Sequence, residues 1–206
     1  MSIASGSRNP SKNNMINILL LVAVGVGIYA NSLQNKMFWD DDDFILKNQY
    51  IKDWRYIPKY FSENLIAGAS LVSNYWRPLL LLVFSVEWHI WQDWAPGFHA
   101  VNTLFHIADS ILLFFLIKLL FNKRILAVAT SLVFLVHPVQ TEAVVYVNSL
   151  GDSLSVFFVL GAEVLEGLTV EQGRRAIKEL VDLLPRTVVV RREGGEQATD
   201  TRALAV

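Results

Sequence analysis

The chain is 206 residues long, 53% hydrophobic, with net charge −1 and mean hydropathy +0.37. That is too apolar for an ordinary soluble domain, and no basic stripe suits nucleic acid. It contains no cysteine, which excludes disulfides, thiolate metal sites and cysteine nucleophiles.

Residues 1–14 form a polar leader ending near Lys12, expected on the cytoplasmic side. Met15 to Ala30 carries no charge and, with Asn31 to Leu33, is long enough to span a bilayer. No small-residue cleavage pattern follows it, so an uncleaved anchor is expected rather than a signal peptide. The loop 34–75 holds five Lys/Arg and six Asp/Glu together with Trp54, Tyr56, Tyr60 and Phe61, a mixture suited to short helices in the headgroup layer. Arg77-Pro78 opens the apolar run Leu79 to Trp91, interrupted by Glu87 and His89, whose length favours an interfacial or re-entrant helix over a complete crossing. Trp88, Trp91 and Trp94 fit an interface belt.

Pro96 starts a longer helix through Phe121. The polar stop Asn122-Lys123-Arg124 precedes a second run, Ile125 to Val136, closed by His137-Pro138, and a third apolar stretch covers Ala143 to Leu165. Arg8 and Lys12 place the N-terminus inside, and Lys118, Lys123 and Arg124 also ask to be inside. The acid loop and the His137 turn are then expected to share the non-cytoplasmic face of a multi-pass integral membrane protein. Residue usage changes near 160: every Asn, Trp and Phe lies before it. In 161–206, Glu171 to Leu184 has helical periodicity, Pro185 ends it, Thr187 to Val190 reads as a strand and Gly194-Gly195 as a hairpin turn. The expected fold class is therefore mainly α: a multispanning helical membrane fragment, 15–160, with a small α+β C-terminal tail, 161–206.

Three constellations could carry chemistry. Asp40, Asp41, Asp42 and Asp43 are adjacent carboxylates framed by Phe38-Trp39 and Phe44-Ile45. Mutual repulsion raises the proton affinity of at least one, which suits a general base; oxygen ligands also suit a divalent cation, most directly at Asp41 and Asp42, and a solvated loop is the bland alternative. His99, Asn102, His106 and Asp109 share one stripe of an apolar helix. That stripe is either an ion path or an interhelical hydrogen-bond seam. His137 through Glu142 breaks a run at membrane depth, tolerable only where backbone lines a cavity or is buried in protein, which makes His137 and Glu142 candidate lining residues. Arg77 at the loop exit suits either a phosphate or an interfacial anchor.

Five stretches occur together in order: Phe38-Trp39-Asp40-Asp41-Asp42 with Ile45-Leu46-Lys47-Asn48; Tyr75-Trp76-Arg77-Pro78-Leu79; Gly97-Phe98-His99-x-Val101-Asn102 with His106; His137-Pro138-x-Gln140-Thr141-Glu142-Ala143-Val144; and Gly151-Asp152. Over 15–158 the chain resembles the transmembrane and tetratricopeptide-repeat O-mannosyltransferase group of the C-type glycosyltransferases. The resemblance implies a catalytic acid at Asp40 or Asp41 and a polyprenyl-phosphate sugar as lipid-linked donor. It also implies a protein or glycan acceptor hydroxyl that displaces the polyprenyl phosphate within the membrane lipids. Arg77, His99, His137 and Glu142 are the corresponding candidates for donor binding. The match departs at Ser149-Leu150-Gly151, where the family commonly carries Arg, and no 34-residue self-similarity is present. The tail, from Leu165-Glu166-x-Leu168-Thr169 to Val190-Arg191-Arg192-x-Gly194-Gly195-Glu196, instead resembles the start of a heavy-metal P-type ATPase actuator domain. The two resemblances imply a composite chain joined near Phe157 to Gly161, with a transporter fragment or a non-catalytic membrane protein as alternative readings.

Overall fold

The computed structural model describes residues 10–183, 187–192 and 195–200. The first nine residues of the leader, the expected helix stop at Pro185 and the turn position Gly194 lie outside the described residues. The chain divides into two compact units, Met1–Val164 and Leu165–Val206.

In the first unit, α1 (Pro10–Tyr29) carries the uncharged anchor that begins at Met15. It tightens into a 3-10 turn over Ala30–Gln34, where the Ser32 hydroxyl donates to the Tyr29 carbonyl at 2.7 Å. The loop that follows contains short helices, as expected, but they pack together. They form a folded cap: a π-helical turn at Asp42–Leu46, three single 3-10 turns (Tyr50–Lys52, Trp54–Tyr56 and Ala67–Ala69) and the short α2 (Ile57–Tyr60). These bury Ile45, Ile51, Tyr60 and Leu65 against Leu80, Leu81 and Phe84 of α3 (Pro78–Trp91). Buried Asn48 holds this cap together, donating to the Leu65 carbonyl at 3.2 Å and accepting from the Tyr50 N–H at 3.1 Å. Gly68 lies so close to Asn48 that an added Cβ would sit 1.9 Å from its side-chain oxygen.

α3 stops at Gln92 (φ 57°) and α4 (Ala95–Phe121) turns back from it. The corner closes because Gly97 lets the Trp91 ring lie on the α4 backbone; a Cβ there would meet the ring at 2.5 Å. α4 ends at Asn122 in the left-handed conformation (φ 51°), a common residue for that cap. α5 (Arg124–Val136) then returns alongside. Lys118 meets Asn14 at one end of the bundle, Ile107 meets Gly25 further along, and His106 faces Leu135 at the other end. α4 is thus antiparallel to both α1 and α5. Leu21, Tyr29, Ile107, Phe114, Ala127, Leu135 and Val144 form the core between them. Close helix approach through small residues such as Gly25 is the usual packing device where lipid removes the hydrophobic drive.

Among the described residues, three helices are long and apolar enough to cross a membrane, Asn13–Gln34, Ala95–Phe121 and Val147–Asp182. Arg124–Val136 with Pro138–Val145, bent by 50°, would make a fourth. Their outward side chains, among them Leu19, Leu104, Val133 and Phe158, are exposed, as lipid-facing residues would be. The apolar stretch Ala143 to Leu165 is not one segment: α6 (Thr141–Val145) ends at an extended Tyr146, and α7 (Leu150–Asp182) begins after a single turn. α7 runs unbroken through 157–161 and through the periodic segment that begins at Glu171. In the second unit, the backbone of β1 (Thr187–Arg192) pairs antiparallel with β2 (Gly195–Asp200).

Candidate functional site

The π-helical turn and the bend before it decide what each acid does. Trp39 stands at φ 57°, a left-handed conformation that is strained for a bulky residue, and its indole is 80% exposed. The reversal sends the next residues different ways. Asp40 is exposed, whereas Asp41 is fully buried. One Asp41 carboxylate oxygen accepts from the Phe38 N–H at 3.2 Å and the other from the Asn148 N–H at 3.1 Å. Asp43 forms an ion pair with Lys47 at 2.8 Å. Burial pushes the Asp41 carboxyl up to about 6; the two backbone N–H groups oppose that rise, and the charges of Asp40 and Asp42 add to it.

The partner of Asp41 lies in the break between α6 and α7. Tyr146 packs on Phe38 with ring centroids 5.3 Å apart, and its phenol sits close to the Asp40 and Asp41 carboxylates without a hydrogen bond of good geometry. The exposed carbonyls of the break are met from α4: Asn102 Nδ2 donates to Tyr146 O at 2.8 Å and to Val147 O at 3.3 Å. His99, fully buried one turn earlier, faces the backbone of Asn35 and Val145. His106 Nε2 lies 3.2 Å from the Leu135 carbonyl. Within the polar stripe of α4, Asn102 satisfies irregular backbone, as buried breaks at membrane depth require, and His106 meets the last turn of α5. Asp109 continues the stripe, buried, with Oδ1 unpartnered.

Arg77, at the start of α3, lies over the Tyr75 ring at 5.3 Å, and its guanidinium packs on α7: a Cβ added to Gly151 would be 3.0 Å from Nη1. Gly151, without a side chain, leaves room for this arginine arriving from another element. His137 and Glu142 are exposed; His137 Nδ1 accepts from the Val139 N–H at 3.2 Å and so caps its own turn. Among the described residues no hydrogen bond or ion pair joins either to the aspartates. Nor is any group of three or more His, Asp or Glu side chains gathered to hold a metal. Both Asp41 oxygens face backbone N–H groups, so the residues present do not fit the expected cation centre at Asp41 and Asp42.

The structure thus brings Asp40, Asp41, Tyr146 and Asn148 together, with Arg77 from the start of α3 packed on Gly151 of α7 and His99 beside the backbone of Val145. Tyr146 and Asn148 escaped the sequence reading because they lie inside an apolar stretch. The only local signal is the polar pair Asn148-Ser149.

The chain is similar to curated protein O-mannosyl-transferases. One from Caenorhabditis elegans, F38B6.6, is 26% identical over 170 residues, covering 78% of this chain and 25% of the relative. TMTC3 of Mus musculus is 30% identical over 153 residues, 72% of this chain and 16% of the relative. TMTC1 of Homo sapiens is 28% identical over 179 residues, 82% and 20% respectively. The chain spans a quarter or less of the length of these relatives. No family model matches it, and no solved structure does.

Proposed function

We propose that the chain is the first part of a membrane-embedded mannosyltransferase that moves mannose from a polyprenyl-phosphate donor to a hydroxyl of a protein acceptor. The observation that carries this reading is the buried Asp41 carboxylate. It docks the acid loop onto the α6–α7 break and leaves Asp40 exposed beside it. The similarity to proteins named O-mannosyl-transferases supplies the sugar and the protein acceptor.

In this reading Asp40 is the base. The acceptor oxygen forms a bond to the anomeric carbon, its proton passes to the Asp40 carboxylate, and the bond from that carbon to the phosphate oxygen breaks with its electron pair on the phosphate. Asp41 is a positioning residue: its two backbone contacts fix the direction of the turn that carries Asp40. Arg77 sits over Gly151 with a guanidinium suited to the charge that grows on the leaving phosphate. His137 and Glu142 flank the same end of the bundle, and the loop lies on the non-cytoplasmic face. The tail from 161 takes no part in the reaction.

The test is Asp40→Asn in membranes containing the intact protein, assayed for mannose transfer from polyprenyl-phosphate mannose. Loss of a general base is worth about 10²–10⁴ in turnover, so kcat should fall at least a hundredfold with KM for the donor little changed. Unaltered kcat would remove Asp40 from the chemistry.

A further inference from the structure

The end of the bundle opposite the acid loop treats its cations differently. In the loop cap, Lys47, Arg55 and Lys59 each pair with a carboxylate, from Asp43, Asp53 and Glu63. At the far end, Lys118 Nζ donates to the side-chain oxygen of Asn14 at 2.7 Å and Arg124 Nη2 to that of Asn17 at 2.9 Å. Both acceptors are neutral amides one turn apart on α1. They orient the two cations without cancelling any charge. No Asp or Glu occurs in 1–39 or in 110–141, and among the described residues Lys118, Lys123 and Arg124 form no ion pair. Arg124 is held by a residue that is itself 5% exposed, so the position of its guanidinium is built into the fold.

Beside these cations is an open hollow of about 620 Å³ lined by Lys123, Arg124, Ile125, Leu126 and Ala129. Ile125 is 86% exposed and Leu126 41%. A short span from uncompensated cations to exposed aliphatic side chains, at a helix end set to lie at a bilayer surface, matches one kind of molecule: charge at the head and hydrocarbon directly behind it. A soluble anion would leave the apolar wall uncovered, and an acidic protein segment could pair with the two cations but would set its polar backbone against Ile125, Leu126 and Ala129 without a hydrogen-bond partner.

We propose that this hollow binds an anionic phospholipid, its phosphate between Lys123 and Arg124 and an acyl chain along Ile125, Leu126 and Ala129. The site is separate from the transferase reading and does not depend on it. Lipid retained by the purified chain, after exposure to an equimolar mixture of phosphatidylglycerol and phosphatidylcholine, would be measured by native mass spectrometry. The wild type should hold phosphatidylglycerol preferentially. Lys123→Gln with Arg124→Gln should lower that preference by about fivefold for each cation removed, whereas Lys47→Gln with Lys59→Gln should leave it unchanged. Asn17→Ala keeps the charge but frees the guanidinium, and should lose part of the preference; full retention would reduce the site to diffuse charge and overturn the proposal. Equal retention of the two lipids by the wild type, which needs no variant to fold, would also overturn it. So would saturable binding of inorganic phosphate without lipid preference, because the hollow would then belong to a free anion.

Discussion

Asp41 carries a pH signature. Its carboxyl is pushed up to about 6 in the fold, above the usual carboxylate value of about 4, so the native protein binds that proton more tightly than the unfolded chain does. Its contribution to stability is fully present below about pH 4 and is lost as pH rises through about 6. The melting temperature in detergent should therefore drop across that interval. Asp41→Asn, which cannot ionise, should flatten that part of the profile; an unchanged slope would assign it to other groups. The acid run was legible as a group from sequence, but not its division of labour. Four identical residues look equivalent until the backbone reversal at Trp39 sends one inward and leaves its neighbour outside.

Periodicity and punctuation fixed most of the elements. Pro96 and Asn122 bounded α4, His137-Pro138 ended α5, and the short apolar run before Trp91 formed an isolated helix, because each signal acts on its own few residues. Two features were hidden. That the short helices of the loop pack into one cap was not legible, because its core residues, Ile45, Ile51, Tyr60 and Leu65, are spaced by tertiary packing with no fixed period. The break at Tyr146–Ser149 was masked by apolar neighbours, and what stabilises it, Asn102 and Asp41, lies far away in sequence. At this scale the α3–α4 corner makes the firmest claim. Gly97→Ala places a methyl 2.5 Å from the Trp91 ring and should destabilise the chain by about 1–3 kcal/mol, read as a lower melting temperature. An equally stable variant would mean that the corner opens without penalty. Glu87 is the converse case, a buried carboxyl with no hydrogen-bond partner among the described residues for either oxygen. Glu87→Met should raise stability by about 1–3 kcal/mol by removing an unsatisfied buried group; a lower melting temperature would show that the carboxyl has a partner.

For the whole molecule, helix directions put the acid loop, the His137 turn and the α6–α7 break at one end, with Lys118, Lys123 and Arg124 at the other. If the helices cross a bilayer, these ends face opposite compartments. Because the chain has no cysteine, single cysteines at the exposed positions Asn74 and Asn122 give a clean measurement. In sealed vesicles an impermeant maleimide should label one from outside and the other only after permeabilisation; labelling of both from the same side would refute the arrangement. The sequence yielded this two-ended plan because hydropathy and charge asymmetry are properties of whole segments. It could not reveal that the cations at the far end rest on amides, since Asn14 and Asn17 look like incidental polar residues on an anchor.

The contact between Asp41 and the Asn148 N–H joins residues 107 apart in sequence. A ribosome delivers the first of these long before the second, so throughout that interval the nascent chain carries an acid with no stable resting place. Docking of the acid loop consequently waits until residue 148 has been delivered, after α1 to α6 are already synthesised. Any product halted short of Asn148 would display an unfinished loop, a mark by which quality control could tell an incomplete chain from one ready for use.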